Sequence, residues 1–274
     1  MVETDTLLTL FGGAAVIKKI LGPSADYIGG QLKEWTMKRS ENLSKIFKNA
    51  EQKIGEKIHE EGKVPSKILK SILDEGSWSE DELQIEYFGG VLASSRVKTL
   101  RDDRGICFTS LISRLTAYQL RTHFIFYQMV KQQFDGEIIN IQDDANWKYL
   151  DLYIPLDSYL EAMNFTYEEL KDLNNLLSHS FWGLYEEKLI GTFCWGNVEQ
   201  IKPKFIWAKQ PGVFFRPTKL GIELLLWAFG YGKNNANSFL QKELILPNNY
   251  DIKIGLSISA RKMWEKDEEL QKKK

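Results

Sequence analysis

A cluster of carboxylates and guanidinium groups between residues 96 and 121 is the part of the sequence best suited to chemistry. Two adjacent acids, Asp102 and Asp103, could serve as a metal-binding or acid–base pair. The arginines of this cluster could surround an anion or a phosphate group. They are Arg96, Arg101, Arg104, Arg114 and Arg121. Each of these functions has to be weighed against a structural role for the same residues.

Helix capping and ion pairing explain the cluster without any reaction. Carboxylates stabilise the first turn of a helix, so Asp102 and Asp103 predict a helix start before the apolar residues that follow them. Residues 71–95 hold several acids and no Lys or Arg, directly before the arginines. We therefore favour acid–arginine pairs inside a helical domain over an anion site, and we predict no catalytic residues.

Composition and motifs agree with a protein that is not an enzyme. The chain has 274 residues and a formal net charge of −1, which argues against a surface that binds nucleic acid throughout. It has no Gly-rich phosphate loop, HExxH, CxxC or GxSxG motif. Its two cysteines predict no disulfide framework, and its three histidines are not at metal-ligand spacing. We expect a cytoplasmic protein with no cofactor and no metal.

Residues 1–22 form an apolar head segment that ends at Gly22-Pro23. As a helix, this segment has one apolar face with two lysines at one end. The residues that could contact a membrane or a partner are Leu7, Leu10, Phe11, Ile17, Lys18 and Lys19. We favour packing against the core and leave open a contact with a partner or with the inner-membrane surface. The segment is too short to span a bilayer.

A helical domain is predicted over residues 23–136. Apolar residues at spacings of three and four predict a long amphipathic helix from Ala25 to Glu61. A second long helix is predicted from residue 102 to about Gln133, and its apolar residues on nearly all sides are typical of a buried helix. The domain is thus expected to be built around its own apolar centre.

Between those helices, residues 79–95 predict a further helix with a close neighbour. Ser79 and Glu82 form the pattern of a capping box, which places the helix start at Ser79. Gly89 and Gly90 lie inside the helix, where a glycine pair lowers helix stability. We therefore predict that another helix approaches the backbone closely at this pair.

Residues 137–260 are predicted to form a winged-helix-like α+β domain. Short β-like runs are followed by helices, then by a strand, a loop, a second strand and a closing helix. Thr166 with Glu169 predicts a capping box, and Thr218 is expected to cap the last helix. Residues 261–274 form a polar tail that we expect to fray. The predicted fold class is mainly α: an N-terminal helical domain followed by this winged-helix-like domain.

A winged helix raises the question of DNA binding. The expected recognition segment, residues 174–188, contains one lysine and two glutamates, whereas a DNA-binding helix needs more Arg and Lys to meet phosphates. The expected wing supplies Lys202, Lys204 and Lys209. We favour a protein-interaction domain and keep a nucleic-acid-binding regulator as the alternative.

Three stretches of the chain resemble the Abi-alpha (abortive infection alpha) family, bacterial proteins that are linked to phage resistance. They are LGPSADYIGGQLKEW at 21–35, VPSKILKSILDEGSWSEDELQIEYFGGVLASS at 64–95 and DDRGICFTSLISRLTAYQLRTH at 102–123. The winged-helix-like phrases LIG at 189–191 and RPTKLGIELL at 216–225 agree with the C-terminal half of the family, so the resemblance covers most of the chain. It implies a non-enzymatic antiviral protein that acts by abortive infection through a protein partner. It supplies no catalytic residues, and it leaves the partner and homo-oligomerisation open.

Overall fold

The computed structural model describes residues 37–98, 101–246 and 252–272. The head segment 1–22, with its predicted membrane or partner contacts, lies outside the described residues. The described part of the chain is mostly helical and contains a small four-stranded antiparallel sheet. This confirms the mainly α class that the sequence predicts.

Five α-helices come first along the described chain, and the four strands follow with the remaining α-helices between and after them. The helices are α1 (Met37–Ile54), α2 (Ser66–Glu75), α3 (Glu82–Ser94), α4 (Gly105–Arg114), α5 (Ala117–Phe134), α6 (Leu156–Met163), α7 (Tyr167–Lys171), α8 (Leu173–Glu186), α9 (Val198–Ile201), α10 (Lys219–Ala228) and α11 (Ala260–Lys272). The strands are β1 (Leu152–Pro155), β2 (Ile190–Gly196), β3 (Gly212–Pro217) and β4 (Ile258–Ser259). Short 3-10 helices cover Gly55–His59, Gly76–Trp78, Asp144–Leu150 and Ala236–Leu240.

The described residues divide into two compact units. The first takes the residues up to Ala117 together with Leu224–Asn234, and the second takes Tyr118–Glu223 and the residues from Asn235 onward. The division lies before α5, whereas the sequence places a domain boundary near residue 136. The difference has a physical cause, because side chains of α5 bond to elements of the second unit, as the hydroxyl of Tyr127 does to the carbonyl of Leu189.

In the first unit, α3 is buried along nearly its whole length. A Cβ atom added at Gly89 would lie 2.7 Å from the Cβ of Asn49 in α1, and one added at Gly90 would lie 1.7 Å from the carbonyl oxygen of Ala228 in α10. Only glycine allows backbones to approach this closely. The predicted close approach at the glycine pair is confirmed.

The start of α3 differs from the predicted capping box. Asp81, not Ser79, is the N-cap, and its side chain accepts a hydrogen bond from the Gln84 amide at 3.0 Å. Ser79 is buried before the helix. Both residue types cap helices well, so the sequence alone did not decide between two candidates that are two positions apart.

Two predicted long helices differ in the structure, and residues 25–36 of the first lie outside the described residues. Helix α1 ends at Ile54 and continues as a 3-10 turn, because Gly55 adopts the left-handed conformation with φ +54°. The helix predicted from residue 102 to Gln133 is two helices, α4 and α5. Leu115 takes an extended conformation between them, with φ −82° and ψ 134°.

The sheet of the second unit has the strand order β2-β3-β1-β4, and every pair in it is antiparallel. Phe215 in β3 pairs with Phe193 in β2 on one side and with Leu152 in β1 on the other. Asp151 directly precedes β1, and its carboxylate accepts two hydrogen bonds of 2.7 Å from the Arg216 guanidinium of β3. Burial raises the pKa of the Asp151 carboxyl, and the guanidinium opposes that rise.

Several local predictions for the second half are confirmed. Thr166 and Glu169 form both hydrogen bonds of a capping box, and the hydroxyl of Thr218 accepts from the Gly221 amide at 3.1 Å. Other predictions are wrong. The β-like run at 137–142 forms no strand, and the tail predicted to fray is helix α11 from Ala260 to Lys272.

Helix α11 is held by aromatic contacts that the polar composition of the tail does not reveal. The indole rings of Trp207 and Trp264 meet edge to face with centroids 5.2 Å apart. The indole N–H of Trp207 donates to the Asp267 carboxylate at 2.7 Å. These contacts order residues that we expected to fray.

Candidate binding groove along strand β2

The carboxylates of the predicted cluster have structural partners. Arg104 donates two hydrogen bonds to the Asp102 carboxylate, at 2.7 and 2.9 Å. These bonds lower the pKa of Asp102 and keep it ionised. The main-chain carbonyl of Asp103 accepts from the Ile106 amide at 3.0 Å, which places Asp103 in the turn before α4. The N-cap of α4 is Arg104, whose side chain makes no capping hydrogen bond, so the expected capping by Asp102 and Asp103 is wrong, although a helix does start directly after them.

The arginines bind main-chain groups in different places. The buried Arg96 donates to the carbonyls of Lys57, Ile58 and Glu60 at the end of the α1 region. Arg114 donates to the Ser110 carbonyl at 2.9 Å. Such bonds to carbonyl oxygens fix turns and helix ends.

The remaining two arginines of the cluster also lie apart from each other. Arg121 donates twice to the Ala162 carbonyl, at 3.0 and 2.9 Å, where α6 ends. Arg101 is exposed on the surface of the first unit.

The acids that were expected to meet these arginines instead pair with lysines of α1. Glu80 binds Lys38, Glu82 binds Lys45 and Glu86 binds Lys53. The cluster therefore supports the structural interpretation of these charges.

The predicted wing lysines lie between α9 and β3. Lys202, Lys204 and Lys209 are all exposed. Lys204 differs from the other two because it also lines a groove beside β2.

This groove has a volume of about 660 Å³ and follows strand β2. Aromatic and uncharged polar side chains dominate its lining. The lining residues are Asn174, Trp182, Tyr185, Thr192, Phe193, Cys194, Trp195, Gly196, Gln200 and Lys204. We call it the β2 groove.

One wall of the β2 groove comes from the exposed side of α8. Leu177, Phe181 and Leu184 face the core and are buried, while Trp182 and Tyr185 lie beside them and are about half exposed. The Trp182 and Tyr185 rings are perpendicular, with centroids 5.7 Å apart. Large aromatic rings that remain half exposed are a common feature of binding surfaces.

Strand β2 forms the floor of the groove and exposes both of its faces to it. Phe193 and Trp195 lie on the α8 side, with nearly parallel rings 5.9 Å apart, and Trp182 meets Phe193 edge to face at 5.1 Å. Cys194 points to the opposite side, where it packs against the cluster that contains Phe205. Because consecutive residues of β2 line one groove, the groove runs along the edge of the strand.

The charge of the groove is positive and small. Lys204 is its one charged lining residue, and the polar lining residues Asn174, Thr192 and Gln200 are neutral. Asn174 accepts a weak hydrogen bond of 3.5 Å from the Trp195 indole. Burial raises the pKa of the Cys194 thiol, and Lys204 opposes the rise. Lys204 directly precedes Phe205, which belongs to the cluster that Cys194 packs against, so Lys204 lines the groove on the Cys194 side. Such a lining suits binding and offers no nucleophile–base pair.

The sequence predicts strand β2, but no pattern in it singles out the aromatic residues of the strand. Phe193 and Trp195 alternate along a strand, and Trp182 and Tyr185 are three positions apart on a helix. Both spacings are equally typical of core residues. The missing signal was the position of β2 at the border of the sheet, which no local pattern contains.

Outside the β2 groove, the side chain of His123 is fully buried within the second unit. Its Nε2 atom lies 3.0 Å from the Gly221 carbonyl oxygen, and burial lowers its pKa to about 3. The imidazole is therefore neutral at physiological pH. Its role is structural because no solvent reaches it.

Within the described ranges, no three His, Cys, Asp or Glu side chains are grouped to hold a metal ion. No helix in that same part of the chain has the length and apolar character needed to cross a bilayer. No family model, curated protein or solved structure is similar enough to match the chain. The resemblance to the Abi-alpha family stays a prediction.

Proposed function

We propose that this protein is a non-enzymatic component of bacterial antiviral defence that acts by abortive infection, as members of the Abi-alpha family are expected to do. In this proposal it binds a protein partner through the β2 groove. The half-exposed aromatic wall of α8, beside an uncharged strand, is the observation that supports protein binding. The antiviral role rests on the family resemblance.

The proposed second domain is winged-helix-like. Its elements follow the order β1, α6, α7, α8, β2, α9, loop and β3, and its three longer strands lie in the order β2-β3-β1. In a DNA-binding winged helix, α8 would be the recognition helix. Its exposed side instead presents Trp182 and Tyr185, which favours a protein partner over phosphate contacts.

Nucleic-acid binding remains the alternative function. Lys202, Lys204 and Lys209 would supply the phosphate contacts from the wing. That function predicts retention on DNA that weakens steeply between low and moderate salt. Retention that is flat with salt, or absent, would exclude it. The proposed place of action is the cytoplasm, and contact with the inner membrane through residues 1–22 is a separate hypothesis.

Phage challenge of a bacterial host tests the antiviral proposal. Cells that express the protein should lower the plating efficiency of sensitive phages and should die before releasing progeny. The double substitution Trp182→Ala/Trp195→Ala should abolish protection while the protein still accumulates and folds. Tyr167→Ala is the matched control, because Tyr167 is an exposed aromatic residue outside the β2 groove.

Two results would contradict this proposal in different ways. If the wild-type protein protects against no phage in a broad panel, the antiviral role is wrong. If the Trp182→Ala/Trp195→Ala variant protects as well as the wild type, the role of the β2 groove is wrong.

A further inference from the structure

We propose that the β2 groove binds an extended peptide that adds a strand to the open edge of β2 and presents an acidic side chain to Lys204. This inference rests on the proposed function in one respect, namely that the second unit binds a protein partner. It adds the chemistry of that partner and the way in which it is bound.

The position of β2 provides the main-chain part of the site. Within the described residues, β2 has β3 on one side and no strand on the other. Alternate residues of a border strand direct their N–H and C=O groups outward, where an extended peptide can bond to them. From Phe193 to Gly196 the pairing with β3 is regular, so this part of the border is straight enough for a further strand.

The sequence of β2 lacks the usual protection of such an edge. Proteins commonly protect sheet edges with charges, proline or very short strands. Strand β2 is seven residues long, IGTFCWG, and contains no charge and no proline. Its pairing with β3 has a register shift between Ile190 and Phe193, which lies before the regular part from Phe193 to Gly196. At the other border of the sheet, β4 is only two residues long and leads directly into α11.

The two sides of the groove define which side chains the peptide needs. Side chains of an added strand alternate between the two faces of the sheet. Those on the α8 side would meet Trp182, Phe193 and Trp195, which favour apolar groups. Those on the Cys194 side would face Lys204, which lines the groove next to Phe205 and favours a carboxylate. The fitting peptide therefore alternates apolar and acidic residues.

Charge also argues against the other occupants. Strand β2 contains no carboxylate, so a second copy of the chain paired edge to edge would not supply the acid that Lys204 favours. A single-stranded nucleic acid would use the aromatic rings, but it needs a groove with several cations, and the β2 groove has one. An acidic, extended peptide matches both the charge and the main-chain geometry.

Fluorescence anisotropy with the purified full-length chain tests this proposal. The probe is a fluorescein-labelled seven-residue peptide that alternates valine and glutamate. Two further peptides carry N-methyl groups, either on all valine amides or on all glutamate amides. Because only one set of amides faces β2, one methylated peptide should bind about 100-fold more weakly than the parent, as expected for about three lost hydrogen bonds. The other should bind within about threefold of it.

Charge variants test the contact with Lys204. Lys204→Glu should weaken binding of the valine–glutamate peptide about tenfold, because an attractive charge contact becomes a repulsive one. Lys209→Glu is the matched control in the same loop, since Lys209 does not line the groove. It should leave affinity within about twofold. A probe with lysine in place of glutamate should lose affinity for the wild type and regain it for Lys204→Glu.

Several outcomes of these binding experiments would overturn the inference. These outcomes are no binding of the valine–glutamate peptide up to about 1 mM, equal binding of the two methylated peptides, and equal binding of the lysine probe. If a single-stranded oligonucleotide binds the groove and the peptide does not, the occupant is a nucleic acid. If the chain forms a concentration-dependent dimer that excludes the peptide, the occupant is a second copy of the chain. Phage protection without peptide binding overturns the inference and leaves the antiviral function standing. Peptide binding without protection does the reverse.

Discussion

Helix α3 and strand β2 are both rich in aromatic and glycine residues, but only the helix is covered. Nearly all of α3 is buried, and its two inner glycines touch the backbones of neighbouring helices. Strand β2 has one buried residue followed by six that are half-buried. Hydrophobic composition alone therefore does not locate a binding surface. What distinguishes β2 is an apolar surface beside main-chain groups that remain open to a partner.

The same glycine substitution should separate the covered helix from the open strand. Gly90→Ala places a methyl group 1.7 Å from the Ala228 carbonyl oxygen, so we expect a loss of unfolding free energy on the order of 4 kcal/mol. Gly191→Ala meets nothing closer than 3.5 Å and should change stability by less than about 0.5 kcal/mol. Urea unfolding of both variants measures the difference. Equal losses would show that β2 is as tightly enclosed as α3.

The contribution of an ion pair between α1 and α3 to stability should depend on how far the pair is buried. The side chains of Lys53 and Glu86 are 12% and 10% exposed, so Lys53→Met leaves a covered carboxylate without its ammonium partner. We expect a loss of about 3 kcal/mol in unfolding free energy. The pair of Lys45 and Glu82 is 50% and 69% exposed, and Lys45→Met should cost less than about 1 kcal/mol.

Urea unfolding of the two lysine variants, with Lys53→Met/Glu86→Leu as a third, checks this expectation. The double variant should recover part of the loss, because both charges are then replaced by apolar groups. A failure to recover would show that the Lys53 side chain contributes mainly through its contact with the Phe229 ring, which lies 5.7 Å from the ammonium.

Local patterns in the sequence determined much of α3 and its surroundings. The glycine pair predicted a close backbone contact because no other residue type tolerates one. The capping boxes predicted helix starts well where a single candidate was present, as at Thr166, and failed at Ser79, where Asp81 competes for the same role. The arginines were assigned to acids near in sequence, but the acids of α3 lie beside the lysines of α1.

The β2 groove was not predictable in the same way. Its walls come from α8, β2 and the loop after α9, and which strand borders the sheet depends on pairing between distant segments. The spacing of Phe193 and Trp195 along a strand places them on one face, but such spacing does not distinguish a covered face from an open one. Lys204 was predicted as a wing contact, yet its special position beside Cys194 depends on the tertiary fold.

The pH dependence of unfolding free energy shows how well the core of the second unit excludes water. The pKa of His123 falls from an ordinary value of 6.5 to about 3 in the folded protein. Below pH 6.5 the unfolded state binds more protons than the folded state. Stability should therefore fall as pH decreases, by about 1.4 kcal/mol per pH unit from this group. His123→Gln should remove that contribution between pH 6.5 and about 5, above the range where carboxylates titrate.

Urea unfolding at several pH values measures the contribution of His123. His179→Gln is the matched control for the substitution itself, because His179 lies in the same unit and is exposed. If His123→Gln keeps the wild-type slope, water reaches the imidazole and the core of the second unit is less closed than the first.

Loss of an aromatic side chain from the wall of the β2 groove should have only a small effect on stability. Phe181 and Trp182 are neighbours in α8, but the first is fully buried and the second is 50% exposed. Trp182→Ala should therefore cost about 1 kcal/mol or less of unfolding free energy, mainly through its contacts with Tyr185 and Phe193. Phe181→Ala, the matched control, should cost about 4 kcal/mol.

Peptide affinity should show the opposite order for a variant that remains folded. Trp182→Ala removes a ring that an added strand would contact, so it should weaken binding of the valine–glutamate peptide about tenfold. Thermal unfolding and anisotropy on the same preparation separate the two effects. A loss of stability as large as that of Phe181→Ala would mean that Trp182 belongs to the core. The contrast between the covered helix α3 and the open strand β2 would then fail at its most exposed side chain.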